Sequence, residues 1–203
     1  MRLEHRNHEN NKTMKTTKIS LATVSAAAML SVSACGAVTD QPASEGVDMN
    51  NPSAEHDRLS KMPTIDEAVQ RYEQMEQAIK QQLTQSIPSL ANWEDTHDSV
   101  GRAGCLNGDG ETHNLSNQIV RVQLPDQQFE QAVKAVGEVV KQYGFNEKPT
   151  QFRNSPGKHF TSFQNPADSS SVFFAASKRV VVQVKVGCHL TVDAKKRGQP
   201  RES

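Results

Sequence analysis

The stretch VVVQVKVGCHL, residues 180–190, has the alternation of a β-strand that buries one face. Its polar side chains Gln183 and Lys185 take one parity, and its apolar side chains take the other. The apolar set is Val180, Val182, Val184, Val186, Cys188 and Leu190. Because side chains alternate between the two faces of a strand, the pattern predicts a half-buried strand of an antiparallel sheet. Residues 172–176 are predicted to pair with it in a hairpin, joined near Ser177-Lys178.

Two amphipathic helices are predicted before this hairpin. The first begins with the capping box Thr64-Ile-Asp-Glu67 and ends near Ile87, before Pro88. The second begins after Pro125, with Asp126 as the predicted N-cap, and ends at Gly144. Each carries one apolar stripe at helical spacing. The stripes are Ile65, Ala68, Val69, Tyr72, Met75, Ile79, Leu83 and Ile87 in the first helix, and Phe129, Ala132, Val133, Val136, Val139, Val140 and Tyr143 in the second.

Short strands are also predicted at 118–124, 149–153 and 158–163. Together these elements predict an α+β fold, a two-layer sandwich in which an antiparallel sheet of about four strands carries both helices on one face. This single domain is expected to cover residues 63–193. The basic tail, 194–203, is expected to be disordered.

The first 35 residues have the order of a bacterial lipoprotein export signal. Residues 14–18 are basic, and residues 19–32 are uncharged and too short to span a bilayer as a stop-transfer helix. Val32-Ser-Ala-Cys35-Gly36 has the shape of a lipobox, so we predict a signal peptide over 1–34, with Met14 as an alternative start, and a lipid on Cys35. The alternative is an ordinary signal peptide with an incidental cysteine. Residues 35–62 are rich in Pro, Ser, Asn, Asp and Gly and are predicted to be the lipidated cysteine and a flexible tether.

The charge balance argues against a nucleic-acid partner. The whole chain carries 23 basic and 23 acidic residues, and removal of residues 1–35, with five basic and two acidic residues, leaves 18 and 21. A net charge of about −3 lacks the basic face that neutralises phosphates. The expected partner is instead the outer leaflet of the cytoplasmic membrane, reached through the lipid on Cys35, together with an envelope protein or a lipid.

Three cysteines are present, and assigning Cys35 to lipid leaves Cys105 and Cys188. In an exported protein such a pair predicts a disulfide. Closing this long loop stabilises the fold by about 4–5 kcal/mol from chain entropy alone. Two free thiols, or a redox pair, are the alternatives, but no Cys-x-x-Cys motif supports a redox pair.

The densest group of potential metal ligands is Glu94-Asp-Thr-His-Asp98, in which Asp95 and His97 share one side of a predicted strand. His113, His159 and His189 could approach from elsewhere, but their spacing indicates no convergence. Residues 107–111 predict a tight turn, because the ligand order of a calcium loop is missing. No nucleophile elbow, phosphate loop or dinucleotide fingerprint is present in the sequence, so no catalytic or cofactor-binding residue is predicted.

The layout over about residues 60–192 resembles the LppA-type lipoproteins of actinobacteria. The resemblance is carried by the lipobox ending at Cys35, a helix closing in Ser86-Ile-Pro88, Trp93 followed by acids, Gly104-Cys105, the helix from Phe129 to Tyr143 with Gly144, and a last strand ending in Val186-Gly-Cys188. The resemblance implies a cell-envelope lipoprotein without an assigned activity, and it brings no catalytic residues.

Three hypotheses for function follow. The leading one is a non-enzymatic envelope protein that binds another envelope component through the exposed sheet face or the Gly-rich loop. The second is a carrier of a lipid or other apolar small molecule, with Val172-Phe-Phe174 lining its cavity. The third is a hydrolase or metal protein that uses Asp95, His97 and another histidine.

Overall fold

A computed structural model describes residues 51–152 and 155–201 of the chain. The predicted signal peptide, Cys35 and most of the predicted tether lie outside the described residues. Within the described ranges, no helix is long and apolar enough to cross a membrane.

The described chain forms four α-helices and eight β-strands. The helices are α1 (Pro52–Ser60), α2 (Ile65–Ser86), α3 (Asp126–Lys141) and α4 (Val192–Arg197). The strands are β1 (Glu94–Thr96), β2 (Gly101–Cys105), β3 (Gly110–Asn114), β4 (Asn117–Val120), β5 (Thr150–Gln151), β6 (His159–Asn165), β7 (Ser170–Ala176) and β8 (Val180–Leu190).

All strands join one antiparallel sheet in the order β1-β4-β8-β7-β6-β5, with β3 also paired to β8 and β2 paired to β3. The α+β class is confirmed, but the expected number of about four strands is wrong, since the sheet has eight. Most of the difference comes from 94–120, where β4 pairs with 180–182 of β8 and β3 pairs with 185–190. β1, β2 and β3 carry little apolar alternation, so no periodicity predicted them. β4 coincides with the start of the strand predicted at 118–124, but it ends earlier, at Val120.

Helix α2 begins as its sequence predicts. The backbone N–H of Glu67 donates to Thr64 Oγ1, and the Thr64 N–H donates to Glu67 Oε2 at 2.7 Å, which completes the capping box. The predicted N-cap of α3 is wrong, because Pro125 holds that position. The carboxylate of Asp126 instead accepts hydrogen bonds from the Gly157 N–H and from His159 Nε2.

The main core lies between one face of the sheet and helices α2 and α3. Phe129 of α3 stacks on Phe174 of β7 with ring centroids 5.5 Å apart, and both side chains are fully buried. Val182 and Val184 of β8 lie in the same cluster as Met75 of α2. Each such side chain contributes roughly 1.5–3 kcal/mol through burial, so the two predicted stripes account for most of this layer.

A β-bulge near the end of β8 changes which side chains face this core. Glu111 pairs with His189 and His113 pairs with Val186, so two residues of β8, Gly187 and Cys188, oppose one residue of β3. Cys188 and Leu190 therefore turn away from α2 and pack in a second cluster with Leu59, Leu106 and Ala194. The expectation that all six alternating residues of β8 share one face is wrong for these two.

Gly187 is required at the bulge because the loop before β7 packs against it. A Cβ atom at this position would lie 1.6 Å from the carbonyl oxygen of Asp168. The Gly187 N–H donates to Ser170 Oγ at 2.8 Å. Any side chain at 187 would force these two segments apart.

The folded domain extends beyond both of its predicted boundaries, residues 63 and 193. Helix α1 lies within the predicted tether, and its Leu59 and His56 are fully buried. Helix α4 lies within the predicted tail, and its Arg197, together with the Arg201 N–H beyond it, donates to the buried carboxylate of Asp109. Helices this short are stabilised by tertiary packing and not by local propensity, so composition alone misassigned them.

Candidate functional site: an acid-lined groove

The predicted disulfide is present. Cys105 and Cys188 are bonded with their Cα atoms 6.2 Å apart, within the range that a disulfide requires. The bond joins the end of β2 to the bulge of β8, so it fixes the Gly-rich segment against the small second core.

His159 and His189 do not lie near Asp95 and His97. Asp95 Oδ1 lies 3.5 Å from Nδ1 of His97, whose side chain is 84% exposed. His159 binds Asp126 and His189 binds Asp168, in other parts of the fold. Among the residues that the structure describes, no group of three or more His, Cys, Asp or Glu side chains is placed to hold a metal ion.

Residues 172–174 do not line one cavity, as the hypothesis of an apolar ligand required. Val172 and Phe174 are fully buried in the main core, whereas Phe173 lies on the opposite face of the sheet, half-buried. The alternation of a strand therefore divides the residues that suggested a cavity for an apolar ligand.

Asp95 instead forms part of a groove between α2 and the segment 95–116. The groove has a volume of about 410 Å³, within the range of small-ligand sites. Helix α2 contributes Glu73, Glu76 and Gln77, while Leu115 supplies apolar surface on the other side.

Glu76 is the unusual residue of this groove, because it is a carboxylate only 4% exposed. Its Oε2 accepts a hydrogen bond from Gln118 Nε2 at 3.2 Å. Its Oε1 has no hydrogen-bond partner within the described ranges. A buried acceptor left unpaired costs about 1–3 kcal/mol, and more when it is charged.

The amide of Gln118 links the two acids of the groove. Its Nε2 donates to Glu76 and also to Asp95 Oδ2, at 3.2 Å each. Its Oε1 accepts from Lys80 Nζ at 2.9 Å. One amide therefore holds two carboxylates close together, and Lys80 orients that amide.

Burial raises the pKa of Glu76 from 4.5 to about 7. The Lys80 charge opposes this shift, and the charges of Asp95 and Glu73 increase it. At neutral pH Glu76 is therefore close to half-protonated, and a cation entering the groove would favour its charged form.

His113 borders the groove as a neutral imidazole. Burial lowers its pKa first, and the neighbouring Arg102 charge lowers it further. Arg102 Nε donates to His113 Nδ1 at 3.0 Å, which leaves the ring proton on Nε2. Arg102 also contacts Glu111 and Asp66, so its charge is balanced by these carboxylates.

Sequence reasoning identified Asp95 but missed Glu76 and Gln118. A signal for each was available. Glu76 follows Tyr72 by four residues and precedes Ile79 by three, so it lies on the apolar stripe of α2. Gln118 shares the parity of Val120, which faces the core. A carboxylate and an amide on buried faces each need a buried hydrogen-bond partner, although the pattern does not identify it.

The eight-stranded antiparallel sheet with its helices defines the class as an α+β domain. The sequence profile of the LppA family, described as a lipoprotein confined to pathogenic Mycobacterium, matches residues 40–192. Because this match spans well over half of the sequence, the chain belongs to the LppA family and is a membrane-associated envelope protein.

Solved structures support the fold. The lipoprotein LppA from Mycobacterium tuberculosis has a TM-score of 0.61 and 14% identity, over 72% of this chain and 91% of that chain. A DUF4853 family protein from Actinomyces odontolyticus has a TM-score of 0.43 and 10% identity, over 66% of this chain and 73% of that chain. The first similarity shows a shared fold and no more, and the second is too weak to carry an argument. No curated protein matches this chain.

Proposed function

We propose that this chain is a non-enzymatic binding protein of the cell envelope, whose acid-lined groove takes a primary ammonium or guanidinium group of its ligand. The lipid on Cys35 holds the protein at the outer leaflet of the cytoplasmic membrane. The single observation that carries the binding proposal is Glu76, a buried carboxylate in the wall of the groove, one of whose oxygens has no hydrogen-bond partner among the described residues.

The chemistry of the groove favours a cation. Glu73, Glu76 and Asp95 bring three carboxylates to one small site. A donor on the ligand would supply the hydrogen bond that Glu76 Oε1 lacks, and charge-assisted bonds of this kind are about twice as strong as neutral ones. Leu115 would contact an apolar stem next to the charged group. An ammonium or guanidinium group carries several N–H donors, so it satisfies such a site better than a single neutral donor does.

The hydrogen bonds of Glu76 and Asp95 favour a binding site over a catalytic one. Both Glu76 and Asp95 are bonded to the amide of Gln118. An activated nucleophile needs a base within hydrogen-bond reach of a hydroxyl or thiol. The amide occupies one oxygen of each carboxylate, and neither acid is hydrogen-bonded to a hydroxyl or thiol within the described residues.

Calorimetric titration of the full-length protein in nanodiscs would test the groove. Agmatine and cadaverine serve as cationic probes, and pentanol serves as the neutral control. We expect the cations to bind with a Kd of about 1 mM at pH 8, as is usual for fragments of this size. The neutral alcohol is expected to show no saturable heat. Cations that bind no better than pentanol would disprove the proposal.

Glu76→Gln keeps the shape of the side chain and removes its charge. We expect it to weaken cation binding by about tenfold, which corresponds to 1.4 kcal/mol. Glu130→Gln, an exposed position on α3, is the matched control and should leave the affinity unchanged. Equal affinity in both variants would place the cation elsewhere.

The anchor has its own test. The mature protein extracted from its membrane is expected to begin at Cys35 and to carry the mass of two or more acyl chains, which suffice for stable anchoring. Cys35→Ser should move the protein to the soluble fraction or leave the signal peptide uncleaved. A mature protein of unmodified mass that stays at the membrane would contradict the lipid anchor.

A further inference from the structure

Three phenylalanines form a surface patch on the face of the sheet opposite α2 and α3. The rings of Phe152 and Phe160 lie 5.9 and 6.0 Å from the ring of Phe173. Phe152 is 39% exposed, and the other two are half-buried. We call these three residues the aromatic patch.

Apolar side chains lie beside the patch in the strand register. Phe160 pairs with Ala175, which pairs with Val181, which pairs with Ile119. Val181 is half-buried, whereas Ala175 and Ile119 are buried, so this row supports the patch from the side and adds little exposed surface. The three neighbouring aromatic rings, which stay partly exposed, are the usual mark of an interaction surface.

Basic residues border the patch at one end of the sheet. Lys158, Lys178 and Arg179 are exposed, and with Phe160 they line a depression of about 640 Å³. No acidic side chain lines this depression within the part of the chain that the structure describes. Aromatic rings next to Lys and Arg are the composition that favours the interface of an anionic bilayer.

The number of residues between Cys35 and Asn51 limits how far the domain can lie from a lipid on Cys35. Fifteen residues separate Cys35 from Asn51, a length that spans at most roughly 50 Å when fully extended. Helix α1, which starts directly after Asn51, packs on Cys188 and Leu190. The bulge turns these two residues to the same outer face that carries the aromatic patch.

We propose that the aromatic patch and its basic rim rest on the anionic surface of the bilayer, so that the domain lies on the membrane with its outer sheet face down. The proposed function supplies the lipid anchor on which this orientation rests, while the affinity for anionic lipid belongs to the patch itself. In this orientation α2 and α3 point away from the bilayer, and the acid-lined groove beside α2 opens away from the repelling lipid charge.

Lysine acetylation of the full-length lipoprotein measures the orientation without any substitution. The protein is reconstituted in vesicles of neutral phosphatidylcholine, or in vesicles with about 30% phosphatidylglycerol. We expect Lys158 and Lys178 to react at least threefold more slowly in the anionic vesicles. Lys134 and Lys141, exposed on α3, are the internal controls and should react equally in both. Equal rates at all four lysines overturn the proposal.

A second measurement separates the patch from the anchor. Full-length Cys35→Ser protein is floated with both kinds of vesicle, and Lys158→Glu/Lys178→Glu is added to that background. Since each basic residue near an anionic surface changes binding by roughly fivefold, the added pair should reduce anionic partition by about 25-fold or more. Lys134→Glu/Lys141→Glu is the matched control and should reduce it far less.

The outcomes distinguish the proposals. If the wild-type chain carries no lipid, it will partition into vesicles like Cys35→Ser. The effect of Lys158→Glu/Lys178→Glu still tests whether the patch binds anionic lipid. If Lys158→Glu/Lys178→Glu and the control Lys134→Glu/Lys141→Glu reduce vesicle binding equally, the bilayer is not the partner. Protection of Lys158 and Lys178 in intact cells but not in vesicles would assign the face to a protein partner, and would also overturn membrane docking.

Discussion

Glu76 and Asp168 are both carboxylates at most 5% exposed, yet their pKa values move in opposite directions. Burial by itself favours a higher pKa for both carboxylates, but hydrogen bonds reverse this effect for Asp168. Asp168 also accepts hydrogen bonds from the Ser170 N–H at 2.9 Å, from Tyr72 at 2.5 Å and from His189 at 3.3 Å. These bonds hold the pKa of Asp168 below its usual value. Glu76 has one such bond, to Gln118, and one unpaired oxygen among the described atoms.

The two residues are equally buried, so the number of hydrogen-bond donors, and not burial, distinguishes a structural carboxylate from one that is available for a ligand. His189 makes this point for Asp168. Its Nδ1 faces the Pro63 carbonyl oxygen at 3.0 Å, and its Nε2 faces the Asp168 carboxylate. These two contacts tie the start of α2, through Pro63, to β8 and to the loop before β7.

The largest expected effect is that of Asp168→Asn, which removes the carboxylate whose Oδ2 is hydrogen-bonded to Tyr72 and His189. A hydrogen bond to a charged group contributes about 1.5–3 kcal/mol, so the loss of two destabilises the protein by about 3–5 kcal/mol. Urea unfolding at pH 7 would measure this loss. Asp57→Asn, an exposed position on α1, is the control and should change the free energy of unfolding by less than about 0.5 kcal/mol. A loss below about 1 kcal/mol for Asp168→Asn would mean that the two carboxylates do not differ.

Glu76→Gln is expected to stabilise the protein, with an effect that depends on pH. Because the folded-state pKa of about 7 lies above the usual 4.5, the charged group disfavours folding progressively as pH rises through this window. The gain should be near zero at pH 4.5 and reach about 3 kcal/mol at pH 8. Asp168 has the opposite sign, since its contribution is present above pH 3.8 and is lost as pH falls through its lowered pKa. Urea unfolding at several pH values would measure both slopes, and a pH-independent effect of Glu76→Gln would contradict the comparison.

Tyr72→Phe should have a smaller effect on the satisfied carboxylate. It removes the hydroxyl that donates to Asp168 and accepts from Asn165 Nδ2 at 3.0 Å. Loss of a hydrogen bond to a charged group costs about 2 kcal/mol. Unfolding experiments would measure the cost, and the Tyr143→Phe variant, whose ring lies at the edge of the core, is the matched control.

The smallest expected effect is that of Asp95→Asn on Glu76. The charge of Asp95 helps to raise the pKa of Glu76, so its removal should lower that pKa. NMR titration of the Glu76 carboxyl carbon would detect the change, with Asp98→Asn as an exposed neighbouring control. An unchanged titration would show that the two acids do not interact across Gln118.

Much of the fold followed from local patterns. Thr64 and Glu67 specify the start of α2 through atoms only three residues apart, and the valines of β8 specify a buried face through strict alternation. Such signals depend on neighbours in sequence, so they can be read without tertiary structure. The same reasoning paired Cys105 with Cys188, because export and an even count leave that bond.

The candidate site could not be derived in this way. Gln118 meets Glu76 across 42 positions and Asp95 across 23, and no local pattern encodes those distances. The sequence suggested a site built on Asp95 and His97. In the fold, Asp95 is hydrogen-bonded to the amide of Gln118, which also binds Glu76.

The class of fold, the two long helices, the central strand and the cysteine pair followed from the sequence, because each depends on periodicity or on simple counting. The bulge at Gly187, the packing of α1 and α4, and the opposite pKa shifts of Glu76 and Asp168 emerged only in the folded chain. These features depend on which donors and which backbone atoms reach a buried position, and contacts between residues far apart in the chain settle that.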